Sequence, residues 1–108
     1  MIETHVWADS SIVCRPSGRL DWIAAVSLRH AIGDLLRPSV EVIIDLSRVE
    51  FIDAVGISAI VGSVRRVRAV GGHAEICRAS PAVRCRLELA GVYQLAVRCS
   101  AANGNDAA

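Results

Sequence analysis

The chain has 108 residues, of which 53% are hydrophobic and 4% aromatic, which suits one domain with a single hydrophobic core. The formal net charge is +1, so the composition gives no electrostatic basis for binding nucleic acid or an anionic membrane, and we expect neither partner. All 12 basic residues are arginine, and no lysine occurs.

The amino-terminal residues 1–5 carry no basic segment followed by an apolar core, so we expect no secretory signal. No run approaches the roughly 18 apolar residues of a membrane span. The four cysteines form no CxxC pair and no metal-ligand spacing; they are Cys14, Cys77, Cys85 and Cys99. We therefore expect a cytoplasmic protein with reduced thiols, no metal and no cofactor, and the response of the thiols to oxidation stays open.

The first third of the chain predicts two strands and a helix. Ile2–Trp7 and Ser11–Arg15 are typical of a hairpin, and the turn-forming residues 16–18 end its second strand. A helix follows with Asp21 as its N-cap and stops before Pro38. Its predicted buried face consists of Ala25, Leu28, Ala31, Ile32 and Leu35.

The central segment, residues 40–68, predicts a buried strand, a polar loop at residues 47–50, and a second helix. Asp53 stands where the side chain of an N-cap residue accepts from free backbone N–H groups of the first turn. Apolar residues with helical spacing form the buried face: Ile57, Ile60, Val61 and Val64. The glycine pair at positions 71 and 72 is a good helix stop.

The last third predicts a strand at residues 73–78 and a helix that starts at Ser80–Pro81, buries Val83, Leu87 and Ala90, and ends at Gly91. A final strand is expected at residues 94–99. The predicted fold class is thus α/β, one domain over residues 1–99 with a mixed sheet in the order β-β-α-β-α-β-α-β. Residues 100–108 have nothing to bury, so we expect a disordered tail.

The face of the second helix opposite Ile57 is small and smooth, and then becomes rich in arginine. It carries Val55, Ala59, Gly62 and Arg66, with Ser58 beside them. A solvated helix face usually carries long polar side chains, so we interpret this one as a docking face, either for a partner or for another element of the chain.

Enzymatic chemistry is the weakest interpretation. His5, His30 and His73 are scattered over different elements, and no nucleophile–base pair or phosphate-binding glycine loop accompanies them. Asp45 and Asp53 suggest a phosphoacceptor site of the receiver-domain kind, but that site needs a lysine, and the chain has none. Trp7 and Trp22 are expected to pack in or at the rim of the core.

Three segments resemble a known family. Their type and order are similar to those of a STAS domain (sulfate transporter and anti-sigma factor antagonist). The segments are Gly18–Asp21, the stretch VIIDLSRVEFIDAVGISAI, and the glycine-ended helix of residues 83–92. The likeness runs from about residue 12 to residue 97. It is strongest to the stand-alone bacterial anti-sigma factor antagonists, and it implies a regulator without enzymatic activity.

The resemblance implies a partner and a site. In that family the loop before the second helix carries a hydroxyl residue that is phosphorylated by an anti-sigma factor with a histidine-kinase-like ATPase fold. The unphosphorylated antagonist binds the anti-sigma factor and frees a sigma factor, a partner switch. Here the acceptor position is Val55, so the usual off-switch is absent and Ser58 is a weak substitute. The predicted partner-binding set is Asp53, Ala54, Val55, Gly56, Ile57, Ser58, Ala59, Gly62 and Arg66.

Two other roles stay open at this point. The chain could be an accessory or scaffold subunit of a transporter or stress-signalling complex, as other STAS proteins are. It could also sense a small ligand near the carboxyl ends of its strands, where open α/β sheets tend to bind ligands. Neither the cognate partner nor the oligomeric state can be deduced from the sequence.

Overall fold

A computed structural model describes residues 2–7 and 10–91. The strands are β1 (Ile2–Val6), β2 (Ile12–Leu20), β3 (Glu41–Asp45), β4 (Arg48–Ile52) and β5 (His73–Cys77). The helices are α1 (Trp22–Leu35), α2 (Ala54–Ala69) and α3 (Pro81–Leu89). None of the described helices is long and apolar enough to cross a membrane.

The strands form one mixed sheet in which the long strand β2 is central. Its first half pairs with β1 in antiparallel and with β3 in parallel orientation, and β3 pairs with β5 in parallel. The second half of β2 pairs with a different strand, β4, in parallel orientation, and in this register Leu20 lies opposite Ile52. The predicted hairpin and mixed α/β class are confirmed.

The core lies between this sheet and the helices. Alternate strand residues such as Val42 and Ile44 are buried beneath α1 and α2, which contribute Leu28, Ile32 and Ile60 to the same cluster. Because the parallel strands are covered by crossover helices, their apolar residues run nearly continuously in the sequence.

Each helix begins at the N-cap that the sequence predicts. The carboxylate of Asp21 accepts from the N–H of Ala24 at 3.2 Å, and that of Asp53 accepts from Gly56 at 2.9 Å. The hydroxyl of Ser80 accepts from Val83 at 3.3 Å. Each of the three helices therefore starts where a short polar side chain accepts from a free backbone N–H group of the first turn.

Several details differ from the predictions. Residues 47–50 do not form the predicted polar loop, because residues 48–52 form β4, in which Val49 and Ile52 are buried. Strand β2 does not end at Arg15 but continues through Pro16 to Leu20, since β4 supplies a parallel partner. Ala90 is exposed rather than buried.

The predicted strand at residues 94–99 and the predicted tail at residues 100–108 lie outside the described residues. The observed order within the described part is β-β-α-β-β-α-β-α.

Candidate functional site

The amino-terminal turn of α2 presents an exposed, largely apolar surface. Val55 is 41% exposed, and Ala54 and Ser58 beside it are exposed as well. Asp53 is half-buried, and one of its carboxylate oxygens is engaged by the N–H of Gly56. Position 55, where the resemblance implies a phosphate-accepting hydroxyl, is thus open to solvent and presents an aliphatic side chain.

Gly56 was predicted to belong to the partner-binding surface, but the structure places it in the interior. A β-carbon at this position would overlap the carbonyl oxygen of Leu20 and lie 2.9 Å from Cγ1 of Ile52. The glycine therefore lets the first turn of α2 pass directly over the ends of β2 and β4. Its neighbour Ile57 is half-buried against the core.

The protein itself covers only part of the small-residue face of α2, since Val55 is exposed and a β-carbon at Gly62 would meet no atom within 4 Å. Ala59 is fully buried, which makes its assignment to a solvent-facing partner surface wrong. Gly62 is half-buried, and Arg66 lies across α1, where its Nη1 donates to the carbonyl oxygen of Arg29 at 3.1 Å. The absence of bulky side chains on this face allows α1 and α2 to pack closely, the second of the two interpretations given to it.

Helix α1 adds exposed apolar residues that the sequence analysis did not assign to the site. Trp22 is 64% exposed, Ile23 60% and Val26 43%, so of the two placements expected for Trp22, in the core or at its rim, the core is excluded. Trp7 is exposed too. Counting 100° per residue around α1 places Ile23 and Val26 well away from the predicted buried face, and this signal was available in the sequence.

Helices α1 and α2 start side by side. Leu20 and Ile52 are opposite each other in the parallel β2–β4 pair, and each helix begins two residues later. The exposed side chains of Trp22 and Val55 therefore belong to adjacent first turns at one end of the molecule. Between the two helices, farther along, lies an open depression of about 330 Å³ lined by Val26, Arg29, His30 and Arg66.

Asp45, the other acidic candidate, has a structural role at the end of β3. Burial raises its pKa, but hydrogen bonds from the backbone and side chain of Ser47 and from Arg15 outweigh this effect, so the pKa is lowered from 3.8. The Arg15 Nε donates to Asp45 Oδ2 at 3.1 Å. Asp45 ends β3 and Asp53 follows β4, and the two carboxylates are held by different partners.

The thiols and histidines of the described residues form no common site. Cys14 and Cys77 are buried, Cys85 is exposed, and Cys99 lies outside the described residues. Burial raises the pKa of Cys14 to about 11, which keeps it a protonated, unreactive thiol. In residues 2–7 and 10–91 no group of three or more His, Cys, Asp or Glu side chains could hold a metal ion.

The chain matches the family model of the STAS domain over residues 4–101, and it belongs to that family. The anti-sigma F factor antagonist of Paenibacillus polymyxa is 23% identical over 86 residues, which cover 78% of this chain and 74% of that protein.

Two solved structures with this fold come from different kinds of protein. An anti-sigma factor antagonist from Mycobacterium paratuberculosis has a TM-score of 0.68 and 29% identity, covering 89% of this chain and 83% of its own. The STAS domain of a SulP transporter from Vibrio cholerae has a TM-score of 0.62 and 22% identity, covering 78% of this chain and 66% of its own. The fold is therefore shared by free-standing antagonists and by domains of transporters.

Proposed function

We propose that this chain is an anti-sigma factor antagonist. It binds an anti-sigma factor with a kinase-like ATPase fold in the bacterial cytoplasm and so frees a sigma factor. The role is one of binding without catalysis. The names of the relatives from Paenibacillus and Mycobacterium support the assignment to this class. The single observation that carries it is the accessible aliphatic Val55 on the first turn of α2, at the position that the family uses for control.

The same residue defines how this antagonist is controlled. A valine has no hydroxyl group, so the kinase activity of the anti-sigma factor finds no acceptor at position 55. In relatives a phosphate at this turn separates the two proteins by adding charge and bulk. This chain stays competent to bind in the presence of ATP. Ser58, exposed one turn farther along α2, is the remaining weak candidate for modification.

The proposal is tested by placing a charge at the contact. The anti-sigma factors with a kinase-like fold that the same genome encodes are purified and titrated by calorimetry. Wild type binds one of them, and Val55→Glu weakens that affinity about a hundredfold, because a carboxylate is buried without a partner. The variant should fold normally, since negative charge near a helix N-terminus is stabilising.

The matched control is Val6→Glu, the same change at a 70% exposed position on the edge strand β1. It retains the wild-type affinity within about twofold, and thermal unfolding verifies that both variants are folded. Equal affinities for wild type and Val55→Glu would move the interface away from α2. Failure of wild type to bind any of these anti-sigma factors would reject the proposed function.

A second candidate function is an accessory subunit of a transporter, favoured by the likeness to the SulP transporter domain. That likeness is below 25% identity and extends to the fold alone. Co-purification with the tagged chain distinguishes the two candidate functions, because it recovers either a kinase-like anti-sigma factor or a transporter component. In the second case the effect of Val55→Glu on binding an anti-sigma factor no longer tests the function.

A further inference from the structure

The groove between α1 and α2 continues the exposed turn at Val55 along the molecule. At its amino-terminal end it presents Trp22, Val26 and Val55, with Ile23 at the margin. The depression that follows is lined by Val26, Arg29, His30 and Arg66. The groove is thus apolar at one end and cationic at the other.

The charge of this helical face is one-sided although the whole chain is nearly neutral. Helices α1 and α2 contain four arginines, at positions 29, 65, 66 and 68, and a single acidic residue, Asp34. Among the described residues, Arg29 and His30 form no ion pair. The acidic side chains that pair with arginine, Glu3, Asp45 and Glu88, lie on other elements.

Arg66 is pre-positioned for an anion. Its Nη1 donates to the backbone oxygen of Arg29. Its Nη2 lies so close to Gly33 on α1 that a β-carbon added to this glycine would be only 2.9 Å away. One end of the guanidinium is therefore held against α1, while Arg66 as a whole stays exposed. A planar donor fixed in this way loses little conformational entropy when it binds a carboxylate.

We propose that this groove docks a segment of the anti-sigma factor that places apolar side chains on Trp22 and Val26 and carboxylates on Arg29 and Arg66. The inference rests on the proposed function and extends it. A partner centred on Val55 must lie over the mouth of the groove, and an acidic amphipathic segment matches both of its ends.

Two other occupants fit the surface less well. A second copy of the chain related by a two-fold axis would set the arginines against either their own equivalents or the apolar end of the groove, and neither supplies a carboxylate. An anionic membrane would attract the arginines, but only three large apolar side chains on α1 are exposed, and the net charge of +1 gives little long-range attraction. Both are kept as outcomes of the test.

The experiment uses the two tryptophans of the full-length chain as probes. The protein is labelled with 5-fluorotryptophan, and its two fluorine resonances are assigned with Trp7→Phe. The unlabelled anti-sigma factor that binds wild type but not Val55→Glu is then added. We expect the Trp22 resonance to shift on binding and the Trp7 resonance to stay in place, since only Trp22 lies beside the groove.

Two charge reversals provide the second readout. Arg29→Glu lowers the affinity about tenfold, while Arg65→Glu, an exposed position on α2 outside the lining of the depression, changes it less than about twofold. Equal losses in both variants would indicate general electrostatic attraction and overturn the inference. A complex that forms without moving the Trp22 resonance would overturn it while leaving the proposed function intact.

Controls without the partner exclude the other occupants. A Trp22 shift that grows with the concentration of the chain alone would assign the groove to self-association and overturn the inference. A shift on adding vesicles of phosphatidylglycerol and phosphatidylcholine would assign it to a membrane, with the same consequence. If no anti-sigma factor binds at all, both the proposed function and this inference fail.

Discussion

Replacing Gly56 with alanine should destabilise the protein, although alanine is the better helix former. The new β-carbon would overlap the Leu20 carbonyl oxygen and press on Ile52, and a backbone oxygen in a sheet cannot turn away as a flexible side chain can. Overpacking of this kind costs about 1–3 kcal/mol, and it outweighs the gain of about 1 kcal/mol in helix propensity. Because the clash is with backbone, the upper end of that cost applies, so we expect a net loss of about 2 kcal/mol and a fall in Tm of about 10 °C.

Gly62 on the same helix provides the matched control. A β-carbon there meets no atom within 4 Å, so Gly62→Ala gains helix propensity without a clash. It should stabilise the protein by about 0.5–1 kcal/mol. Urea unfolding followed by circular dichroism measures both variants. Equal stability of the two variants would refute the claim that α2 crosses β2 at Gly56 in direct contact.

Three further predictions concern the cap, the acid limb and the thiols. Asp53→Ala should lower the free energy of unfolding by about 1 kcal/mol in urea, because the Gly56 N–H loses its acceptor; no change would contradict the cap. Since the folded pKa of Asp45 is below 3.8, its stabilising contribution is present above that pH and is lost as the pH falls through the folded value. Asp45→Asn should therefore flatten the acid limb of a stability–pH curve, and an unchanged limb would argue against it. Iodoacetamide at pH 8, with mass spectrometric mapping, should label Cys85 in the native protein and reach Cys14 only after unfolding; rapid native labelling of Cys14 would contradict its burial.

The local features of the fold could be predicted because short-range physics determines them. Asp21, Asp53 and Ser80 cap their helices as expected, and glycine ends α2 and α3. A capping side chain needs only the backbone of its own first turn, so the sequence alone contains the information.

The features that were missed depend on distant parts of the chain. The buried residues of strand β4, Val49 and Ile52, are three positions apart and lack the alternation of a regular strand, so its pairing with the distant strand β2 is needed to order it. The smooth face of α2 was recognised, yet the helical repeat cannot say which neighbour covers it. The close fit of α1 at Ala59 turned part of a predicted partner surface into core.

The proposed function requires that the chain cannot be switched off at Val55, and a kinase assay with the proposed partner tests this requirement most directly. The anti-sigma factor is incubated with ATP and either wild type or Val55→Ser, and phosphate incorporation and the remaining complex are measured by intact mass and size exclusion. We predict an unmodified, still-bound wild type, and a Val55→Ser variant that is phosphorylated at position 55 and released. Stoichiometric phosphate on wild type, at Ser58 or any other residue, would contradict the account.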